Sequence, residues 1–554
     1  MPTVTFPLAY LQRLTSTVPT DLEAQAFDYG LEATLKGTDL EVEVTAERPD
    51  LLAAEGFTRA INIYNGQSRC LPLGLAASGR RIRVCPSVQP LRPYIAALVV
   101  RQAHLADGGL EVLIQFQEKV TQTFGRQRRK IAIGVYDLGQ IVGDLTYSAQ
   151  PASAITFIPL QAKEAMTASQ IFTQHPAGQL YRHTLPSGDQ ALVLRDQQGQ
   201  VLSMPPIINA AGVGEITTDT RDLFIDVTGI RVQTVMETIN ILAHNFLDTG
   251  AQVETVAIDF GSENLVTPCL ERRPVTFSAR FLNEIIGTAI PKTALAPILA
   301  RMDLEVGGRD LIYVPTYRTD IFSQVDIAGD LLVALGLANL EAEPLAVKFH
   351  LGKAATLPQF GLRMGDLAQR LGLMEVKSYI LTDPDLLNLF SMPYLQTSNA
   401  KSRSFSATRP TLLAGLLEVL SRNINAPKPI NIYEIGEVLR LQSIDQVLES
   451  SYWGFASLDA RASFTTAKAY VQTLLKALGC PYSLAPGQDP YYISGRSALV
   501  LMAGQPVGEF GEIHPDLLNY FSFPEPVCAG ELDCQKLYSF SISSPGSDRQ
   551  ETSP

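Results

Sequence analysis

The sequence predicts an α+β protein of several domains rather than one doubly wound sheet. Three observations carry this prediction. At 554 residues the chain has the length of about three or four domains of ~100–200 residues each. Strand and helix signals alternate irregularly, not in the strict βαβα order of a parallel sheet. Proline-rich or polar breaks interrupt the apolar patterning at three places.

Taken in order, the first break is the cluster Pro86, Pro90 and Pro93. Proline fixes φ and removes a ladder donor, so a boundary is expected near 85–95. Ile131-Ala132-Ile133-Gly134-Val135 reads as a strand, as do residues 223–227 and Thr255-Val256-Ala257-Ile258. Helix signals run over residues 232–246 and 277–286, on either side of the second break, Pro268 to Pro274. The third break covers 341–358, polar and proline-bearing. Beyond it, Leu412, Leu413, Leu416, Leu417 and Leu420 form one stripe at helical spacing within residues 412–422. Residues 498–502 and 507–510, joined by Ala503-Gly504-Gln505-Pro506, read as a hairpin. The tail 543–554 has no large apolar residue and is expected to be disordered.

Composition narrows the function classes. Apolar residues at 46% and charged residues at 18% exclude a disordered or collagen-like chain. The balance of 44 basic against 56 acidic residues leaves a net charge of −12. Such a chain does not coat nucleic acid by charge alone, because non-specific affinity comes from neutralised phosphates. Cys70, Cys85, Cys269, Cys480, Cys528 and Cys534 show no CxxC spacing, which argues against a zinc site and suits a reducing compartment. The first residues lack the basic and apolar regions of a signal peptide. No apolar run approaches the ~20 residues of a membrane helix. A soluble, cytoplasmic chain is expected.

The chemistry-bearing candidates are few. There is no P-loop, no GxGxxG after a strand, no GxSxG and no HExxH. The histidines are scattered, and His175, His183 and His514 read as turn or surface residues. The densest carboxylate group is Asp320, Asp326 and Asp330. On a helix, Asp326 and Asp330 lie one turn apart, and oxygen ligands of this kind suit Mg²⁺. The alternative is a helix capped by Asp320 with a solvated acidic face. A second group comprises Leu194, the segment Ser203-Met204-Pro205-Pro206-Ile207-Ile208-Asn209, and Asp226-Val227-Thr228-Gly229. Two prolines make a stiff wall, while an Asp with hydroxyls can position a water for ester hydrolysis. The alternative there is a turn network satisfying buried backbone. The basic run Arg126-Gln127-Arg128-Arg129-Lys130 is either a phosphate contact or a solvated loop.

Read together, these stretches resemble the β subunits of phenylalanyl-tRNA synthetase of the archaeal/eukaryotic type, over roughly residues 1–540. The match begins at Arg48-Pro49-Asp50-Leu51-Leu52-Ala53-Ala54-Glu55-Gly56 and continues through Arg129-Lys130-Ile131-Ala132-Ile133-Gly134-Val135-Tyr136. It includes the Ser203–Asn209 and Asp226–Gly229 segments, then Pro315-Thr316-Tyr317-Arg318-Thr319-Asp320-Ile321. It closes on Ile432-Tyr433-Glu434-Ile435-Gly436-Glu437-Val438 and Gly508-Glu509-Phe510-Gly511-Glu512.

The resemblance implies an N-terminal α+β module (1–90), a tRNA-editing domain (91–270) and a winged-helix-like domain with a Mg²⁺ site (271–345). A catalytic-like domain of class II synthetase fold, an antiparallel sheet with helices, follows at 346–542. It further implies a partner α subunit in an (αβ)₂ tetramer, attachment of Phe to tRNA(Phe) with ATP, and hydrolysis of mischarged Tyr-tRNA(Phe). An apolar Phe pocket cannot strongly reject an analogue that only adds a hydroxyl, so a second site must recognise that hydroxyl. Matching editing positions are Asp226, Thr228 and Ser203, with Leu194 and Asn209 as substrate contacts. Asp226 or Ser203 is assigned to the tyrosine hydroxyl or to the hydrolytic water. The matching metal positions are Asp320, Asp326 and Asp330, but Gly329 stands where the family usually carries Glu. The catalytic-like segments lack phosphate-gripping arginines, which places adenylation on the α subunit. A degenerate, non-catalytic scaffold protein is the alternative reading.

Overall fold

Strands at 131–137 and 223–229 alternate their side chains between two faces, one of them apolar and the other mixing Tyr136 and Phe224 with Asp226 and Thr228. Ile131, Ile133, Val135, Leu223, Ile225 and Val227 join one buried cluster, whereas Tyr136 and Phe224 join another. The computed structural model describes residues 2–14, 22–67, 74–186, 188–261, 263–308, 310–341, 344, 351–443 and 445–543. The expected disordered tail beyond Ser543, residues 342, 343 and 345–350 of the third break, and Cys70 lie outside these residues. By internal contacts the chain separates into two units, residues 1–344 and 345–554.

The first unit centres on a ten-stranded sheet. Its order is Ile208–Asn209, Val201–Met204, Gln190–Asp196, Leu145–Pro151, Ala76–Val84, Gln252–Asp259, Tyr94–Arg101, Leu223–Gly229 and Ile131–Asp137, with Asn264–Thr267 added to Gln252–Asp259. Ala76–Val84 runs parallel to both of its neighbours, and the other pairs are antiparallel. Because Ala76–Val84 lies within this sheet, a module boundary at 90 would cut the sheet between paired strands. The proline cluster instead forms the short turn Pro86–Val88 and a loop. Proline restrains φ in the same way inside a domain as between domains.

One face of the sheet packs on the helix Val232–Asp248 and joins the apolar core of the N-terminal segment. That segment is a three-stranded sheet, Thr3–Pro7, Asp39–Glu43 and Glu32–Lys36, with the helix Ala54–Tyr64. The same core continues into a small module built on Arg273–Thr276, Leu311–Val314 and Glu305–Val306. Its helices are Ala279–Ile286, Lys292–Ala300 and Gln324–Leu335.

The second unit is a seven-stranded sheet in the order Met374–Glu375, Ile430–Ser443, Gln446–Leu458, Val527–Asp533, Gln505–Ile513, Tyr492–Met502 and Ser483–Pro486. Only its first pair is parallel. The predicted hairpin is the pair Tyr492–Met502 and Gln505–Ile513. Phe360, Val471 and Leu474 cover one face; the Leu412–Leu420 stripe covers the other, each of its five leucines fully buried.

Candidate functional site

The ends of the large sheet meet across a cavity of about 530 Å³. Ile131–Asp137 and Val201–Met204 sit far apart in the strand order, yet side chains bridge them. Tyr136 Oη lies 2.6 Å from Asp226 Oδ1 and 2.8 Å from Ser203 Oγ. A phenol has one proton, so Tyr136 donates to the carboxylate and accepts from the serine. Asn209 Nδ2 donates to the Val135 carbonyl at 3.3 Å, and Arg128 donates to the Pro206 and Ile207 carbonyls at 3.2 and 2.9 Å.

Local sequence explains why this arrangement fits. Gly134 and Tyr136 share one face of their strand, and Gly134 is the register partner of Asp226. A Cβ on residue 134 would collide with Tyr136 Oη and Asp226 Oδ1. The absent side chain is the space in which the phenol and carboxylate meet. Asp226 is 1% exposed, and burial pushes its carboxyl up to about 7, opposed by the Tyr136 hydrogen bond and the Arg92 charge. Its Oδ2 has no hydrogen-bond partner among the described residues. Half ionised near neutrality, with one oxygen unpartnered beside a cavity, Asp226 can accept a hydroxyl or take a proton from water.

Thr228 also lines the cavity, but its Oγ1 accepts from Arg92 Nε at 3.1 Å. Arg92 is fully buried and donates further to the Thr228, Arg128 and Arg129 carbonyls. The structure thus brings Ser203, Asn209, Asp226 and Thr228 to one cavity, walled in part by Pro205 and Pro206. Leu194 is placed differently. It is the register partner of Ser203, fully buried in the core, and is not part of the lining, so it supports the serine from behind rather than contacting a ligand. Sequence reasoning gave Tyr136 and Arg92 no role, and read Arg128 only as part of the basic run 126–130. A tyrosine two residues after a strand glycine was a usable signal. Arg92, between Pro90 and Pro93, offered none. His175 lines the cavity as well, its Nδ1 capping the helix Pro176–Tyr181.

The acidic stretch takes another form. Ser323, not Asp320, caps the helix Gln324–Leu335, and Asp326 completes a capping box by accepting from the Phe322 and Ser323 amides, both at 2.8 Å. Arg318 forks onto Asp320 at 2.9 and 2.7 Å and onto Asp330 at 2.9 and 2.7 Å. Burial acts to raise the Asp320 carboxyl, but Arg318 and Arg48 outweigh it and hold the group below its usual range. Burial dominates at Asp330 and lifts it above that range.

These residues do not fit the expected Mg²⁺ site. The positive charge facing Asp320 and Asp330 is a guanidinium, and Asp326 is turned to backbone amides. No three His, Cys, Asp or Glu side chains among the described residues form a group that could hold a metal ion. The helix runs unbroken through Gly329, where a Cβ would meet nothing within 4 Å.

In the second unit, the arginines beside the family-like segments are already committed. Arg409 Nη1 pairs with buried Glu434 at 2.7 Å, and Arg440 Nη2 with buried Glu531 at 2.5 Å. No helix among the described residues is long and apolar enough to cross a membrane.

Comparison with known proteins agrees with this anatomy. Residues 347–534 match the family model described as the phenylalanyl tRNA synthetase beta chain CLM domain, and residues 275–337 match the tRNA synthetase B5 domain. A phenylalanine–tRNA ligase beta subunit of Thermococcus sibiricus is 31% identical over 503 residues, covering 89% of each chain. That of Methanocella arvoryzae is 30% identical over 527 residues, covering 92% of this chain and 95% of its own. The crystal structure of an N-terminal fragment of the phenylalanyl-tRNA synthetase beta subunit from Pyrococcus horikoshii superposes with a TM-score of 0.57 at 30% identity. It covers 60% of this chain and 99% of the fragment. The chain belongs to the family of phenylalanine–tRNA ligase β subunits.

Proposed function

We propose that this chain is the editing and scaffold subunit of an (αβ)₂ phenylalanine–tRNA ligase. A separately encoded α subunit activates Phe with ATP and joins it to tRNA(Phe), in the cytoplasm. In this chain the 530 Å³ cavity hydrolyses Tyr-tRNA(Phe) formed in error. The observation that carries this reading is the buried Asp226, whose Oδ2 has no hydrogen-bond partner among the described residues while Oδ1 already holds the Tyr136 phenol. Tyr136 makes within the protein the contact that a substrate tyrosine would make from the cavity.

A phenol on a buried carboxylate gains a charge-assisted hydrogen bond of about 1.5–3 kcal/mol, which Phe cannot form. That is roughly ten- to a hundredfold selectivity. Ser203 supports Tyr136, and Arg92 holds Thr228 in place, so the polar wall is preorganised. The carboxylates Asp320, Asp326 and Asp330 enter this reading as structural groups rather than as Mg²⁺ ligands. Co-expression with candidate α subunits tests the assembly. The expected result is a co-purifying complex that charges tRNA(Phe) with Phe and clears Tyr-tRNA(Phe) faster than Phe-tRNA(Phe). A complex that charges tRNA(Phe) but clears neither ester would favour a scaffold role alone.

A further inference from the structure

Beside the ester cavity lies a second concavity of about 700 Å³, lined by Arg126, Arg129, Lys130 and Arg231 with uncharged residues and no carboxylate. Arg126, Arg129 and Arg231 are exposed, and none of the four cations forms an ion pair among the described residues. Glu237, on the following helix, feels the charge of Lys130. In a chain of net charge −12, these four cations surround one hollow without an ion pair among the described residues.

The two hollows draw part of their linings from the same two chain segments, 126–134 and 226–231. Arg128 faces the ester cavity, its guanidinium 4.0 Å from the Tyr181 ring centroid, while its neighbours Arg126 and Arg129 face the basic one. Thr228 lines the first, Ile230 and Arg231 the second, and the Ile230 amide donates to the Lys130 carbonyl at 3.2 Å. The loop between them is strained. Arg126, Gln127 and Arg128 have φ of 48, 55 and 63°, three successive left-handed residues without a glycine. Surrounding bonds hold them there. Arg92 donates to the Arg128 and Arg129 carbonyls, and the Arg128 and Lys130 amides donate to Thr121 and Gly125. Strain kept by such over-determination is a mark of functional placement. Here it turns consecutive basic side chains towards opposite sides of one loop.

We propose that this basic hollow binds the phosphodiester strand of single-stranded RNA immediately preceding the esterified terminal nucleotide, and so feeds that end into the neighbouring cavity. The inference rests on the editing reading for what sits in the cavity. An ester at an RNA terminus is preceded by one negative charge per nucleotide, and exposed Arg and Lys match those charges without reading sequence.

The test is binding of the full chain to a short, labelled, uncharged single-stranded RNA ending in CCA, across a series of salt concentrations. Each phosphate contact contributes about 0.7 to the slope of log K against log salt on a single strand. The double variant Arg129→Gln/Arg231→Gln should lower that slope by about 1.4, and Arg126→Gln by about 0.7. Arg280→Gln, which removes an exposed cation from the 273–335 module, should leave the slope as in the wild type. Equal slopes for wild type and the double variant would overturn the proposal. A duplex of the same sequence that binds as well, with the same dependence on these arginines, would overturn the single-strand assignment. Hydrolysis of tyrosyl-RNA is measured separately. Its absence in the wild type would sink the editing reading while the slope result stood on its own.

Discussion

Asp226→Asn keeps the shape of the side chain and an acceptor for Tyr136, but removes the ionisation. Burial lifts the native carboxyl from 3.8 to about 7, against the Tyr136 hydrogen bond and the Arg92 charge. The folded chain therefore binds this proton more tightly than the unfolded chain does. The stabilisation is complete below pH 3.8 and is lost as the pH rises to about 7. At ~1.36 kcal/mol per unit, the loss amounts to about 4 kcal/mol, of which about 3 kcal/mol falls between roughly pH 5 and pH 8. The unit holding Asp226 spans residues 1–344. With ~2.1 cal/mol/K of unfolding entropy per residue, about 3 kcal/mol corresponds to a shift of about 4 °C. Scanning calorimetry at both pH values should show the Tm of the wild type falling about 4 °C further than that of Asp226→Asn. Parallel shifts in the two proteins would refute the argument, since Asp226 would then be as easily ionised in the fold as outside it.

Gly134→Ala should lose hydrolysis of Tyr-tRNA(Phe) and destabilise the fold by about 1–3 kcal/mol, because the new methyl displaces Tyr136 from Asp226; a crystal structure of the variant with that hydrogen bond intact would contradict this. Arg318→Gln should cost about 3–5 kcal/mol by leaving the buried Asp330 without its paired cation, while Asp320 keeps Arg48 at 3.9 Å. EDTA should leave the Tm of the isolated wild-type chain unchanged; a fall restored by Mg²⁺ would show that these carboxylates do hold a metal. The isolated chain should give no Phe-dependent ATP–pyrophosphate exchange, since Arg409 and Arg440 are paired with Glu434 and Glu531; exchange above background would reverse that assignment.

Elements set by local periodicity were legible in the sequence. The leucine stripe at 412–420 declares itself because burial repeats with the helical period, and the strands at 131–137 and 223–229 do so as short, mostly apolar runs buried along nearly their whole length. Of the residues grouped from the sequence, Ser203, Asn209, Asp226 and Thr228 share a cavity and Leu194 lies outside its lining. What joins them was not. The Tyr136 bridge depends on distant strands of one sheet approaching each other, a long-range outcome that no local pattern encodes. Arg92, between Pro90 and Pro93, is fully buried, and a lone arginine in sequence carries no signal of such surroundings. The acidic stretch misled for a related reason. Asp320, Ser323 and Asp326 are all competent at a helix start, and only Arg318, by claiming Asp320, leaves the cap to Ser323.

The most direct test of the editing assignment is deacylation of Tyr-tRNA(Phe) by the αβ complex carrying Asp226→Ala, beside the unmutated complex. The account predicts rapid clearance by the unmutated complex, clearance slowed roughly ten- to a hundredfold or more by the substitution, and Phe-tRNA synthesis little changed. Equal clearance of Tyr-tRNA(Phe) by both complexes would contradict it.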